Sequence, residues 1–171
     1  AVIVCNHVSY MDPLVIGAKV RRPVRFVMHR YIFQIPVMKT VFRLAKAIPI
    51  VSGKKDPEGL QRAMDQVAAE LDAGRLVAIF PEGMLTRDGD IGIFRSGIER
   101  IIERNPVPVI PMGLSGLWGS FFSFYGGEPM KHVPRLKWSR IRLRVGKPIP
   151  PTEVTVDLLR ERVAELRGPH R

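Results

Sequence analysis

The chain has 171 residues, 46% apolar and 25% charged, enough for one domain with a hydrophobic core and too apolar for global disorder. With 27 Lys and Arg against 16 Asp and Glu, the formal charge is +11, which suits phosphate-rich partners: nucleic acid, an anionic membrane face or an acidic carrier protein. The single cysteine, Cys5, excludes an internal disulfide, and no run of about 18 apolar residues argues for a spanning helix.

The chain enters directly on Ala1-Val2-Ile3-Val4-Cys5, an apolar strand without the basic leader or cleavage site of a signal peptide. That abrupt start reads as a domain excised from a longer, membrane-associated protein. A short helix follows, through about Ala18, then a strand from Val24 to Met28 and a helical stretch from about Ile32 to Leu44, broken or kinked at Pro36. Ala47 to Val51 is a third apolar run. Asp56 caps the clearest helix, with Pro57 in its first position, Leu60, Met64, Val67, Ala68 and Leu71 at helical spacing and Gly74 as its end. A strand from Arg75 to Phe80, a helix from about Ser96 to Glu103 and a strand from Val107 to Met112 come next. After an irregular aromatic stretch, a strand runs from about Arg140 to Val145. Thr155 caps a last helix with Val156, Leu159, Val163 and Leu166 on one face. Apolar strands with little alternation, separated by helices, predict a single α/β domain over residues 1–171. Its central sheet is largely parallel or mixed and covered by helices on both faces, with sites in the loops beyond the strand ends.

The first candidate site is Asn6-His7-Val8-Ser9-Tyr10-Met11-Asp12. If His7 lies in the loop before the helix, Ser9 is a good N-cap and Asp12 falls at the third helical position, the Ser-x-x-acid capping pattern. A carboxylate there reaches back towards His7 and can accept a hydrogen bond from one imidazole nitrogen, leaving the other as a base. The same spacing also describes a plain helix cap with an incidental histidine, and the two readings are compatible.

The second is Phe80-Pro81-Glu82-Gly83, where proline stops a strand and glycine permits tight backbone geometry. This reading puts Glu82 at the mouth of the sheet. Arg87 and Arg95 downstream can bind phosphate bidentately, and Ser96 with the following helix N-terminus can add donors for an anion. A polar turn with solvated arginines is the alternative.

Together these residues resemble the glycerolipid acyltransferase family. Its first block, Asn-His-x-Ser-x-x-Asp, is matched by Asn6, His7, Ser9 and Asp12, and its Phe-Pro-Glu-Gly block by Phe80, Pro81, Glu82 and Gly83. A Phe-basic-x-Gly element is matched by Phe94, Arg95 and Gly97, and the last block, a strand running into proline, by Val107 to Pro111. There are departures. Many members continue Phe-Pro-Glu-Gly with Thr-Arg-Ser, whereas Met84-Leu85-Thr86-Arg87 here puts an arginine two places later. The arginine of the family's second block aligns with Ser52, with Lys54 and Lys55 just beyond. The longer pattern Phe-Pro-Glu-Gly-x-x-Thr-x-x-Gly is similar to that of bacterial acylglycerophosphoethanolamine acyltransferases. Those proteins are often fused to a lysophospholipid transporter or an acyl-carrier-protein synthetase domain.

The resemblance implies the glycerolipid acyltransferase fold and acyl transfer from a thioester of coenzyme A or acyl carrier protein to the hydroxyl of a lysophospholipid. Lysophosphatidylethanolamine is the first choice of acceptor and lysophosphatidic acid the alternative. His7 would be the general base, since imidazole changes charge near neutral pH, and Asp12 would fix its tautomer. The attacking oxygen belongs to the substrate, so no acyl-enzyme is needed. Phe80, Pro81, Glu82, Gly83, Arg87 and Arg95 would contact substrate. No cofactor or metal is implied. The partners are lysophospholipid, the acyl donor and a membrane surface, at the cytoplasmic face of a membrane such as the bacterial inner membrane.

Other residues carry plainer expectations. Cys5 reads as a strand residue, and His29, His132 and His170 as surface or structural. Leu117 to Tyr125 reads equally as core packing or as aromatics lining an acyl groove or touching a bilayer interface. The charge alone allows a nucleic-acid-binding module, but the basic residues are scattered and both motifs would go unexplained. A hydrolase using the same His-Asp pair and an inactive regulatory domain are the remaining rivals.

Overall fold

The computed structural model describes residues 1–34, 40, 42–51, 53, 56–131 and 140–169. The predicted kink at Pro36, the aligned Ser52, Lys54 and Lys55, and His132 and His170 lie outside the described residues.

Six strands form one sheet: β1 (Val2–Cys5), β2 (Val24–His29), β3 (Ile48–Ile50), β4 (Leu76–Ile79), β5 (Val109–Ser115) and β6 (Arg142–Val145). Their order is β3-β2-β4-β1-β5-β6. All neighbours run parallel except β5 and β6, so the sheet is mixed, mostly parallel. Helices α1 (Asp12–Lys19), α2 (Pro57–Asp72), α3 (Gly97–Arg104) and α4 (Val156–Arg167) connect and cover it. The central strand shows why the apolar runs do not alternate with polar residues. Val2 and Val4 point into the core formed with α2, α3 and α4, through Val67, Ile98 and Leu159. Ile3 and Cys5 point into the opposite core with Ile16 of α1 and Phe42. Both faces are buried, so both parities must be apolar.

Local signals placed several ends correctly. The Asp56 carboxylate accepts the Gly59 N–H at 2.7 Å, and Thr155 Oγ1 accepts the Leu158 N–H at 3.2 Å, capping α2 and α4. Three expectations shift. The stretch from Ile32 begins instead as a 3-10 helix, Arg30–Gln34, and α-helical residues are described at Phe42 to Leu44. Helix α1 starts at Asp12, not after a Ser9 cap, with Met11 as its N-cap and Pro13 in its first turn. Strand β5 begins two residues later and ends three later than its composition suggests, continuing through Gly113 to Ser115.

That continuation depends on the missing side chain of Gly113. A Cβ there would lie 2.2 Å from the Arg167 nitrogen and 2.5 Å from the Leu166 carbonyl carbon, so α4 packs directly on the strand backbone. Gly113→Ala forces two backbones apart, and we expect a destabilisation of about 3 kcal/mol, read as a lower denaturant midpoint with an unchanged m-value.

Candidate functional site

Because β1, β4 and β5 are parallel, their C-terminal ends deliver three loops to one edge of the sheet, where open α/β sheets place their sites. His7 follows β1, and Phe80 to Gly83 follow β4. The Leu117–Tyr125 segment follows β5.

Asn6 locks the first loop to β5. Its side-chain amide accepts the Leu114 N–H at 2.8 Å and donates to the Leu114 carbonyl at 2.9 Å, completing the ladder one residue past β1. Asn6→Ala would leave both Leu114 groups buried and unpaired. A loss of about 2 kcal/mol or more is expected in chemical unfolding.

Asp12 turns back over the loop. Its Oδ2 lies 2.8 Å from His7 Nδ1 and accepts the Val8 and Ser9 N–H groups at 2.7 and 3.0 Å. The Ser9 hydroxyl does not return the bond to Asp12. It accepts the Met11 N–H at 3.2 Å and lies 3.4 Å from Ser120 Oγ, while the Asp12 N–H donates to the Ser9 carbonyl. Only the carboxylate half of the expected capping box forms, and it is the half that reaches His7. The carboxylate is an acceptor only, so its contact puts the ring proton on Nδ1 and the lone pair on Nε2. The imidazole is stacked on Phe80, centroids 4.1 Å apart and planes within 16°, and 15% of the His7 side chain remains exposed.

The Phe80–Gly83 segment is a tight turn closed by the Gly83 N–H on the Phe80 carbonyl, with Pro81 at its second position. Gly83 has φ +73°, and a Cβ on it would meet the Arg95 guanidinium at 3.0 Å. Glu82 points inward and is buried. Its Oε1 accepts the His7 N–H and its Oε2 the Gly92 N–H, both at 2.8 Å. Glu82 therefore ties the His7 backbone to the loop after the turn and lies buried beneath the mouth. Arg160 of α4 holds the same loop from outside, donating to the Gly92 carbonyl at 3.0 Å and the Ile91 carbonyl at 3.2 Å.

Burial pushes the Glu82 carboxyl above its ordinary value of 4.5, outweighing the downward pull of the Gly92 and His7 amides. A carboxyl with a raised folded pKa contributes stability that is present at low pH and lost as pH rises through the folded value. Glu82→Gln is therefore expected to flatten the decline of stability above pH 4.5. It should also lower overall stability by about 1–3 kcal/mol, because its amide sets a donor against one backbone N–H. Thermal unfolding across pH checks both.

The structure thus brings His7, Asp12, Phe80 and Glu82 together. Arg87 and Arg95 are exposed on adjoining loops. Arg87 stands over the Phe124 ring at 5.2 Å and Arg95 against Gly83. Ser96 precedes α3 without a side-chain cap bond. Burial raises the Cys5 thiol pKa well above its ordinary value, as for a strand residue rather than a nucleophile. Sequence reasoning missed the Asn6 clamp, the inward turn of Glu82 and the Arg160 contacts. It also missed that the aromatic segment packs on the motif loops, through the Tyr10 N–H on the Phe122 carbonyl and Trp118 against Gly89.

The model of a family described as Acyltransferase matches residues 1–115, a span that contains every residue of both motifs. The chain belongs to the acyltransferase family. Similar to this family member is a chloroplastic 1-acyl-sn-glycerol-3-phosphate acyltransferase of Brassica napus, 29% identical over 115 residues, covering 67% of this chain and 33% of that protein. A 1-acyl-sn-glycerol-3-phosphate acyltransferase of Borreliella burgdorferi is 24% identical over 113 residues, covering 66% and 44%. The chain thus spans a third to under half the length of these curated relatives. The crystal structure of a 1-acyl-sn-glycerophosphate acyltransferase from Thermotoga maritima superposes with a TM-score of 0.69 at 21% identity, over 95% of this chain and 62% of that one. That likeness supports the α/β acyltransferase fold.

Proposed function

We propose that this chain transfers a fatty acyl group from a thioester to the free hydroxyl of lysophosphatidic acid. The observation that carries the reading is the His7–Asp12 contact at 2.8 Å, made by a carboxylate also fixed by two backbone amides, on a histidine whose side chain stays 15% exposed. With the proton on Nδ1, Nε2 takes the acceptor's hydroxyl proton as its oxygen attacks the thioester carbonyl. The tetrahedral intermediate collapses with loss of the thiolate, which recovers that proton from the imidazolium. Asp12 stabilises the imidazolium in between, and Phe80 sets the plane of the ring. The donor is a thioester of coenzyme A or of an acidic acyl carrier protein.

The names of the relatives favour lysophosphatidic acid over lysophosphatidylethanolamine, the acceptor first suggested by the Phe-Pro-Glu-Gly-x-x-Thr-x-x-Gly pattern. The site chemistry leans the same way. Exposed Arg87 and Arg95 suit a phosphomonoester, and Glu82, the acid of the motif, is buried on the His7 and Gly92 amides, away from an ethanolamine ammonium. Membrane association at the cytoplasmic face belongs to the same proposal. No helix among the described residues is long and apolar enough to cross a membrane. Turnover of the two acceptors under one donor tests the headgroup. We expect the higher kcat/KM for lysophosphatidic acid, and the reverse order would restore lysophosphatidylethanolamine.

A further inference from the structure

His7 lies in a loop, so its ring meets the Asp12 carboxylate only while its backbone is held. Both polar groups of that backbone are bonded to the segment after β4. The His7 N–H donates to Glu82 Oε1 at 2.8 Å, and the His7 carbonyl accepts the Thr86 N–H at 2.9 Å. These two partners are fixed in turn by the loop that follows. Glu82 Oε2 accepts the Gly92 N–H at 2.8 Å, and Thr86 Oγ1 accepts the Gly89 N–H at 3.1 Å.

The next bond in each route comes from α4. Arg160 donates to the Gly92 and Ile91 carbonyls at 3.0 and 3.2 Å. Arg167 donates to the Gly89 carbonyl at 3.0 Å and lies 3.6 Å from Asp90. Seven positions apart, the two arginines share one face of the helix, about 10.5 Å from each other along its axis. The loop is closed from its other side as well: a Cβ on Gly92 would meet Glu82 Oε2 at 3.1 Å, and one on Gly89 would meet Trp118 at 2.7 Å. The buried anchors of α4 are Leu159 and Val163, so neither arginine supplies the packing of the helix. Arg167 even leaves its Nε buried with no acceptor, a cost in stability that a residue kept for packing alone would avoid.

We propose that Arg160 and Arg167 are positioning residues for acyl transfer: from α4 they hold the 89–92 loop, which sets the His7 backbone through Glu82 on its N–H and Thr86 on its carbonyl. The proposal rests on His7 as the general base. A ring that must face Asp12 on one side and an acceptor hydroxyl on the other tolerates little displacement, and a misplacement of about 1 Å costs about 10²-fold in rate. Loss of one arginine leaves the other route intact, so a smaller effect is expected of each, about tenfold. It should fall on kcat, because neither side chain touches substrate.

Arg160→Met and Arg167→Met keep an apolar stem and lose the donors. Each should lower kcat about tenfold with KM within about twofold. Each should also move the His7 imidazole signal in the proton–nitrogen spectrum of histidine-labelled protein, where that signal is identified by its absence from His7→Ala. Arg162→Met, which removes a pairing with Glu165 on the exposed side of α4, should change neither. Arg160→Lys, with one cation for two carbonyls, should recover part of the loss. In a Glu82→Gln background, Arg160→Met should cost about threefold or less, because the route it acts through is already broken. An unmoved His7 signal in both methionine variants, or an undiminished tenfold loss in the Glu82→Gln background, would overturn the proposal. So would a lower unfolding temperature with kcat and the His7 signal unchanged, which would make the arginines structural only. The signal is read without turnover, so a wild type that transfers no acyl group would sink the acyl-transfer reading and leave this test of positioning standing.

Discussion

Replacing His7 by alanine is expected to lower kcat for acyl transfer by about 10²–10⁴-fold, the usual contribution of a positioned general base. The effect should fall on kcat more than on KM, because the side chain acts on the hydroxyl proton in the transition state and not on the headgroup. Stability should change little. The Asp12 carboxylate would still hold the Val8 and Ser9 amides, and Glu82 would still hold the backbone N–H of residue 7. Steady-state kinetics with a thermal unfolding curve on the same preparation separates a lost base from a lost fold.

Asp12→Asn is the second large effect. The amide oxygen can still accept the Val8 and Ser9 N–H groups, so the loop should survive. The neutral side chain cannot stabilise an imidazolium, however. Because the one oxygen Oδ2 serves Nδ1 and both amides, the amide oxygen keeps that place and the NH2 takes the position of Oδ1, so what is lost is the negative charge opposite the ring. We expect kcat to fall by about 10²–10⁴-fold with a shift in unfolding temperature of a few degrees at most. Asp12→Ala should behave differently, losing both activity and stability, since two amide donors and the ring nitrogen lose their common acceptor. If Asp12→Asn matched wild type in kcat, the carboxylate would be a helix-start device only.

The boundary between what the chain displays and what it conceals follows the range of the interactions. Caps at Asp56 and Thr155, the proline at the start of α2 and the turn at Phe80 to Gly83 are local, and each left a mark within four residues. The doubly covered sheet was readable because β1, β4 and β5 have no polar face to hide. The His7–Asp12 pairing was readable because a loop followed by a helix start brings positions five apart into contact. The start of α1 was not, because the Asp12 carboxylate is drawn back by the Val8 and Ser9 amides and Ser9 turns its hydroxyl to Met11. Asn6 meets Leu114 across 108 positions, and Arg160 reaches Gly92 across 68, with no periodicity to announce either. The end of β5 was hidden for a related reason. Gly113 reads locally as a strand breaker, and only the approach of α4 explains it.

The central claim is that a substrate hydroxyl, activated at His7, takes the acyl group. The most direct measurement follows free thiol released from an acyl thioester, with and without lysophosphatidic acid, together with the mass of the lipid formed. Thiol release should require the acceptor, equal the phosphatidic acid produced, and vanish to background in His7→Ala. Thiol release at the same rate without acceptor, with free fatty acid as product, would make the pair a hydrolase and contradict the account.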